Sequence, residues 1–312
     1  MTGTIRLFRW DDLPSIIDVM NRWSEALGSQ NRITQSDIES NWRAPHNHPE
    51  QNCFVLEQPD GSLSAFAIAD LLDDPAQSNG VYYIPPSQPE AADQLIKATE
   101  EHFWHTAQAA GVPGATMTYI MVEEAAEGIA VLEARGYTLP RQFYVMRAVL
   151  DAPVALDPIP EGFVLRPFDP TRDAQAAYEA QHEAFQDHWG FSRLPFLEWM
   201  YNVENPDFDP AHWWLALEGN QIAGLVRSEP QGGESAWIGI VGVRPAWRRR
   251  GLGLLLLQRC FSIHQQQGRR FAHLRVDVDN RYQATALYER AGMTAQSRTL
   301  YYQKHFGIPP KQ

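Results

Sequence analysis

Cysteine is nearly absent from this chain: Cys53 and Cys260 stand far apart and in no CxxC pair. That excludes a disulfide framework and a cysteine-built zinc site, and no metal is expected. No apolar run approaches the ~20 residues needed to span a bilayer. The opening residues, MTGTIRLFRWDDL, contain no apolar stretch followed by a cleavage site, so no signal peptide is expected and the expected location is cytoplasmic. Basic residues are outnumbered, 26 against 38 acidic ones, which leaves a formal net charge of −12. Such a surface repels phosphate backbones and makes nucleic acid an unsuitable partner. It weakly favours a cationic substrate such as an amine, although acidity also simply keeps a protein in solution.

What is present points to two packed domains. The chain has 312 residues, 44% of them hydrophobic and 11% aromatic, which is too long for one core of the common size. Residues 151–162, DAPVALDPIPEG, carry Pro153, Pro158 and Pro160 and end in Gly162. Proline lacks an N–H and fixes φ, so this stretch is neither a helix interior nor a central strand. It reads as a linker between domains 1–150 and 163–312.

The two sides of the linker read alike. TIRLFRW followed by the amphipathic DLPSIIDVMNRWSEAL matches FVLRPFD followed by DAQAAYEAQHEAF. Each half then shows two short apolar strands around a turn, Asp60-Gly61 in the first and Gly219-Asn220 in the second. A strand, a long helix, a strand, a glycine-terminated helix and a last strand follow in both. AVLEARGYTLPRQFYVMRAVL aligns without a gap on ALYERAGMTAQSRTLYYQKHF when Gly136 is set on Gly292. An internal duplication is the reading.

The chemistry concentrates in the second half. In SAWIGIVGVRPAWRRRGLGLLLLQRCF, residues 235–261, a β-rich run over 236–243 meets Pro245, then Arg248-Arg249-Arg250-Gly251-Leu252-Gly253, then an apolar helix. A glycine-rich turn opening a helix leaves backbone N–H groups without intrachain partners, and the helix dipole adds partial positive charge. A pyrophosphate suits such a site, and a missing Cβ at Gly251 and Gly253 lets the backbone approach it. The dinucleotide fingerprint GxGxxG is a poor match, because no third glycine follows. In HLRVDVDNRYQATALYERAGM, residues 273–293, alternation at Leu274, Val276 and Val278 reads as a strand, Asn280 as a helix cap, and Ala284 with Tyr288 as i,i+4 neighbours on one helix face. Read alone, this second segment is an ordinary capped helix with a core tyrosine.

Together the segments resemble the GNAT (GCN5-related) N-acetyltransferase superfamily. Its pattern V-x-P-x-x-R-x-x-G-x-G/A is met by Val243, Pro245, Arg248, Gly251 and Gly253. Its partner N-x-x-A-x-x-L-Y-x-x-x-G-F is met from the alanine on by Ala284, Leu287, Tyr288 and Gly292, with Met293 in place of the final Phe and with Asn280 one residue further from Ala284 than the pattern has it. The resemblance covers roughly residues 163–306. It implies an α/β fold of two tandem GNAT domains on mixed sheets, like the mycothiol synthase-like group, with acetyl-CoA as co-substrate. By resemblance, Val241, Gly242 and Val243 contact the pantetheine arm and acetyl group, Arg248, Arg249, Arg250, Gly251, Leu252, Gly253 and Leu254 cradle the pyrophosphate, and Asn280 and Ala284 face the cofactor. Tyr288 is implied as general acid to the departing thiolate, or else as a wall of the pocket; the family analogy favours the acid. Glu234 is taken as a candidate base, beside Glu229, Asp277, Asp279, His188 and Glu183, each of which also reads as a plain solvated residue.

The first half carries Ile84-Pro85-Pro86-Ser87-Gln88-Pro89-Glu90 where the phosphate turn belongs, Leu132 where Tyr288 sits and Glu124 where Asn280 sits. It reads as a degenerate copy without cofactor. Trp189, Trp199, Trp213 and Trp214 suggest either an acceptor wall or packing against the first domain. The expected function is acetyl transfer to a small-molecule primary amine within a ternary complex; a protein N-acetyltransferase and a non-catalytic acetyl-CoA sensor are the rivals.

Overall fold

A computed structural model describes residues 3–26, 32–43, 47–72, 74–84, 88–188, 191, 193–204, 208–280 and 284–308. It divides into two compact units, Met1–Gln142 with Arg298–Gln312, and Phe143–Ser297. The first half of the chain gives β1 (Thr4–Leu7), α1 (Leu13–Ala26), α2 (Gln35–Trp42), α3 (Pro49–Asn52), β2 (Cys53–Glu57), β3 (Leu63–Leu71), β4 (Gln77–Tyr83), α4 (Pro89–Ala109), β5 (Gly114–Val122), α5 (Ala126–Ala134) and β6 (Thr138–Val149). The second half gives β7 (Phe163–Pro167), α6 (Pro170–Phe185), α7 (Phe196–Glu204), β8 (Trp213–Glu218), β9 (Gln221–Gln231), β10 (Ser235–Val243), α8 (Leu252–Gln266), β11 (Phe271–Asp277), α9 (Ala284–Arg290) and β12 (Thr294–Gly307).

Both units have the same topology. The first orders its strands β1-β2-β3-β4-β5-β12, antiparallel except for β4 with β5. The second orders them β7-β8-β9-β10-β11-β6, antiparallel except for β10 with β11. The parallel pair needs a crossover, which α4 supplies in one unit and α8 in the other. The last strand in each case comes from the other half of the chain. Thr299–Gly307 of β12 pairs with Val122–Gly114, and Phe143–Val149 of β6 pairs with Asp277–Phe271. The sequence repeats, 1–150 and 163–312, and the structural units thus differ by one strand from each half. Residues 151–162 form no helix or strand, and their backbone is tied to α8 through Gln258 and Gln265.

The duplication extends to hydrogen bonds. Arg6 pairs with Asp12 at 2.7 Å and Arg166 with Asp173 at 2.5 Å, each tying a first strand to the chain that follows it. Gly136 and Gly292 both take positive φ, 85° and 84°, a conformation open to a residue without Cβ. Around them Tyr137 N–H donates to Leu132 O and Met293 N–H to Tyr288 O, each at 3.0 Å. Leu132 and Tyr288 are therefore structural equivalents.

In the second unit, helices cover both faces of the sheet, as expected for a parallel pair buried on two sides. On one face α8 presents Leu252, Leu255, Leu256, Leu257, Cys260 and Phe261 to Ala272, Leu274 and Val276. On the other, α6 and α7 bury Tyr178 and Trp199 against Trp213, Leu215 and Leu225. Trp199 and Trp213 are core residues of this unit, packed edge-on at 5.8 Å, and Trp214 faces the α8 side with Arg259 over its ring. Trp189 lies outside the described residues.

One buried group makes this unit acid-sensitive. His264 on α8 is fully buried; its Nε2 shares a 2.8 Å hydrogen bond with Ser228 Oγ, and its Nδ1 has no partner. Burial, then His212 stacked at 4.8 Å, then Arg269, push its pKa down to about 3. The unfolded chain takes that proton near pH ~6.5. Stability from a neutral His264 is therefore whole above ~6.5 and falls progressively as pH drops toward about 3. Between pH 7 and 5 the expected loss is about 2 kcal/mol. Denaturant unfolding at both pH values should show that extra loss in the parent and not in His264→Asn; an equal pH dependence in the two proteins would refute it.

Candidate active site

The site begins where two parallel strands stop pairing. β10 and β11 are in register only over Ser235–Trp237 and Phe271–His273, yet they continue to Val243 and Asp277. A bulge between Ile238 and Ile240 marks the point of divergence. Beyond it opens a cleft of about 970 Å³. Its walls are Ile238, Gly239 and Val241–Val243 on one strand and Leu274–Asp277 on the other. Arg248, Arg249 and Gly251–Leu254 lie at one end, and Asn280, Ala284, Leu287 and Tyr288 come from the α9 side.

The ladder to β9 determines which backbone groups of β10 face this cleft. Val243 lies opposite Gly224, and the next residue, Arg244, donates its N–H to Ala223 O at 2.9 Å. Antiparallel pairs alternate, so Gly242 also bonds toward β9, whereas the N–H and C=O of Val241 and Val243 point away from it. Arg248 Nε donates to Val243 O at 3.0 Å, as this alternation requires. Val241 N–H is thereby directed into the cleft. Gly242 serves by its lack of a side chain: a Cβ there would stand 2.8 Å from the Phe185 ring and 3.0 Å from Ala184.

The turn after β10 curls its amides together. Arg249 takes φ 66°, the only described non-glycine residue with positive φ, and Gly251 takes φ 82° at the cap of α8. No side chain caps this helix. Among the described residues, no backbone acceptor takes the N–H groups of Arg249 through Leu254. Converging free amides at the N-terminus of a 15-residue helix make an anion cradle. Strained left-handed backbone at a non-glycine residue costs ~1–3 kcal/mol and is retained at binding sites. The two glycines differ in role: a Cβ at Gly251 meets nothing within 4 Å, whereas one at Gly253 would stand 3.0 Å from Leu287. Gly253 allows α8 and α9 to pack closely.

Of the three arginines, Arg248 and Arg249 line the cleft, and the Arg249 side chain makes no hydrogen bond or ion pair among the described residues. Arg248 Nη2 donates to Ala184 O at 3.0 Å, so its guanidinium also ties the end of α6 to β10. Arg250 pairs with Glu218 at 3.0 Å and does not line the cleft. Asn280 precedes α9, its Oδ1 accepting from Ala284 N–H at 3.4 Å. Tyr288 is 9% exposed, and its hydroxyl has no hydrogen-bond partner among the described residues. Burial pushes the phenol up to about 12. It holds its proton across the neutral range and is a donor in search of an acceptor.

Glu234 lies elsewhere. It precedes Ser235, at the end of β10 where the strands are still paired, and it bonds Arg270 at 3.4 Å on the surface. From there to Val241 is a run of seven residues, about 23 Å of extended chain. The structure does not bring this carboxylate to the cleft, because the β-rich run starts at its closed end. Glu183 is engaged with Arg244 at 2.6 Å. His188 and Asp277 do line the cleft. Phe143 and Phe185 also line it and carried no signal in the motifs; Phe143 arrives on the strand β6 shares with β11.

Comparison with known proteins agrees with this geometry. Residues 174–293 match the model of the acetyltransferase (GNAT) family. A mycothiol acetyltransferase of Streptomyces bingchenggensis is 34% identical over 175 residues, 54% of this chain and 56% of the relative. That of Salinispora arenicola is 26% identical over 97% of this chain and 96% of its own. A GCN5-related N-acetyltransferase of Sphaerobacter thermophilus superposes with a TM-score of 0.85 at 28% identity, covering 98% of this chain and 96% of that one. The chain spans about half the length of the first curated relatives it matches. The match to the GNAT acetyltransferase model is thus confined to residues 174–293, and the fold is the tandem GNAT arrangement. Among the described residues no helix is long and apolar enough to cross a membrane.

Proposed function

We propose that the second unit transfers an acetyl group from acetyl-CoA to a primary amine of a small molecule, by direct attack in a ternary complex. The observation that carries this is one cleft with unpaired amides at one end and an unpartnered, protonated Tyr288 on its wall. The residues fit a pyrophosphate-bearing thioester. The amides of Arg249–Leu254, with the Arg249 side chain, hold the pyrophosphate, and Val241 N–H donates to the acetyl carbonyl as negative charge develops on its oxygen. Acetyl-CoA supplies an activated acyl carbon, so the protein's main task is to hold the amine against it. Tyr288 Oη holds the proton that the leaving thiolate takes. Glu234 is too distant to be the base; His188, Asp277 or a chain of water can receive the ammonium proton. The test is release of free thiol from acetyl-CoA across amines, amino-sugars, peptides and mycothiol-type acceptors. Rapid turnover of peptides alone would favour the protein acetyltransferase, and binding of acetyl-CoA without turnover of any amine would favour the sensor.

One site per chain is expected. In the first unit β4 and β5 also part after Gly80–Tyr119, but the cavity there is about 250 Å³ and lined by the buried Tyr82. Ligand sites usually need ~300 Å³ or more, and coenzyme A is a large ligand. Helix α4 opens on Pro89, which has no N–H to offer; Pro85, Pro86 and Ser87 lie outside the described residues. Calorimetric titration with acetyl-CoA should give a stoichiometry of one, and two equivalent sites would refute a degenerate first unit.

A further inference from the structure

The bulge that opens the cleft also exposes an unpaired cation. Strand β9 alternates across the sheet: Val226 and Ser228 face α8, where Ser228 bonds His264, while Leu225 and Arg227 face α6 and α7. Arg227 lies over the Trp213 ring at 5.4 Å. Among the described residues its guanidinium makes no hydrogen bond or ion pair. Glu229, two residues along on the same face, is exposed and stays outside bonding distance. Arg166 pairs with Asp173 and Arg244 with Glu183, whereas Arg147 and Arg259 lie over the Phe271 and Trp214 rings and each leave a buried Nε without a partner. A recessed guanidinium with five donors and no acceptor is costly unless something outside the chain completes it. Stacking on one indole returns only part of that cost, and burial shifts the group toward the neutral form, opposed only by Glu229.

Its position identifies what is missing. Gly239 lines the cleft on the same face, and a Cβ there would stand 3.2 Å from Arg227 Nη2 and 3.6 Å from Nε. The guanidinium edge therefore lies against Gly239 in the cleft wall, two residues, roughly 7 Å, before Val241. That is the α6 face of the sheet, where Gly239 and Gly242 remove side chains and Phe185 and His188 also line the cleft.

We propose that Arg227 determines acceptor specificity by binding an anionic oxygen group, carboxylate or phosphate, carried within a few bonds of the reacting amine. This rests on the transferase reading above. The acidic surface would not draw such an acceptor from a distance, so recognition is local and its strength lies in the desolvated guanidinium fork.

The experiment assays matched acceptors with acetyl-CoA by thiol release: amino acids against their amides, and glucosamine 6-phosphate against glucosamine. The parent should prefer the charged member of one pair class by tenfold or more in kcat/KM; which class responds separates carboxylate from phosphate. Arg227→Gln should raise KM for that charged member at least tenfold, leave kcat within about threefold, and leave neutral amines and acetyl-CoA affinity unchanged. Arg227→Lys should recover part of the loss. A parent that prefers neutral amines, or a charge preference that survives Arg227→Gln, overturns the assignment. So does an Arg227→Gln variant whose losses are equal for charged and neutral acceptors, since that is a merely structural effect. Thiol release with no amine of either class, by a protein that binds acetyl-CoA, overturns the transferase reading itself.

Discussion

Gly251→Asp should weaken acetyl-CoA binding by about 100-fold or more, while Gly251→Asn should weaken it far less. The pair isolates charge from shape. Gly251 sits at φ 82°, where most residues are strained, but Asn and Asp tolerate left-handed backbone better than others. Space is not limiting, since a Cβ there meets nothing within 4 Å. Both substitutions place a side-chain oxygen at the cap of α8, where it can take one amide of the first turn. Only Asp adds a negative charge beside the cradle. Two unit charges about 5 Å apart interact by about 3 kcal/mol at an effective dielectric of 20, and the pyrophosphate carries more than one. Salt screens part of this, which leaves on the order of a hundredfold. Affinity is read by calorimetry and folding by circular dichroism. If Gly251→Asp binds acetyl-CoA as tightly as Gly251→Asn, the pyrophosphate is not held at this turn.

Much of this site was legible in the sequence because it is local. A strand, a glycine turn, a helix, and then a capped helix with a small residue and a phenol one turn apart are patterns of neighbours. The structure places Val241, Val243, Arg249, Gly251, Asn280, Ala284 and Tyr288 around one cleft. Individual roles were harder to read. Three adjacent arginines look alike on paper, yet Arg248 lines the cleft tied to the carbonyls of Val243 and Ala184, Arg250 turns away to Glu218, and Arg249 lines the cleft with no described residue engaging its side chain. Gly242 resembles a hydrogen-bonding position, but the ladder turns its backbone toward β9 and its contribution is clearance for Phe185. Glu234 looked close to the motif because it begins the strand, and a strand carries its two ends far apart. Contacts made across the sheet left no trace in spacing: Arg227 beside Gly239 depends on a bulge, and Phe143 on β6 joining β11. The exchange of β6 and β12 was invisible for the same reason. Both halves keep the same strand pattern whichever partner each last strand finds.

Tyr288→Phe should lower kcat by about 100-fold and leave acetyl-CoA affinity within a few-fold of the parent. Phe keeps the ring that packs among Leu252, Leu256 and Met293 and removes only the hydroxyl. That hydroxyl bonds no described residue, so its loss should cost the fold little. What it removes is the one proton the side chain can give, and general acid catalysis is worth ~10²–10⁴-fold. The low end applies because a thiolate leaves with less help than an alkoxide or an amine. The pH profile gives a second, independent reading. Burial raises the phenol to about 12, so the acid stays loaded through the neutral and mildly alkaline range. The parent's kcat should therefore show no alkaline fall attributable to this group below about pH 10, well short of that raised pKa. Activity should instead rise with pH as the substrate ammonium gives up its proton, and Tyr288→Phe should follow the same rise at a uniformly lower level. A tyrosine that only walls the pocket would leave kcat nearly unchanged. Turnover within a factor of two of the parent at every pH, with the best acceptor from the thiol-release screen, would remove Tyr288 from the catalytic machinery.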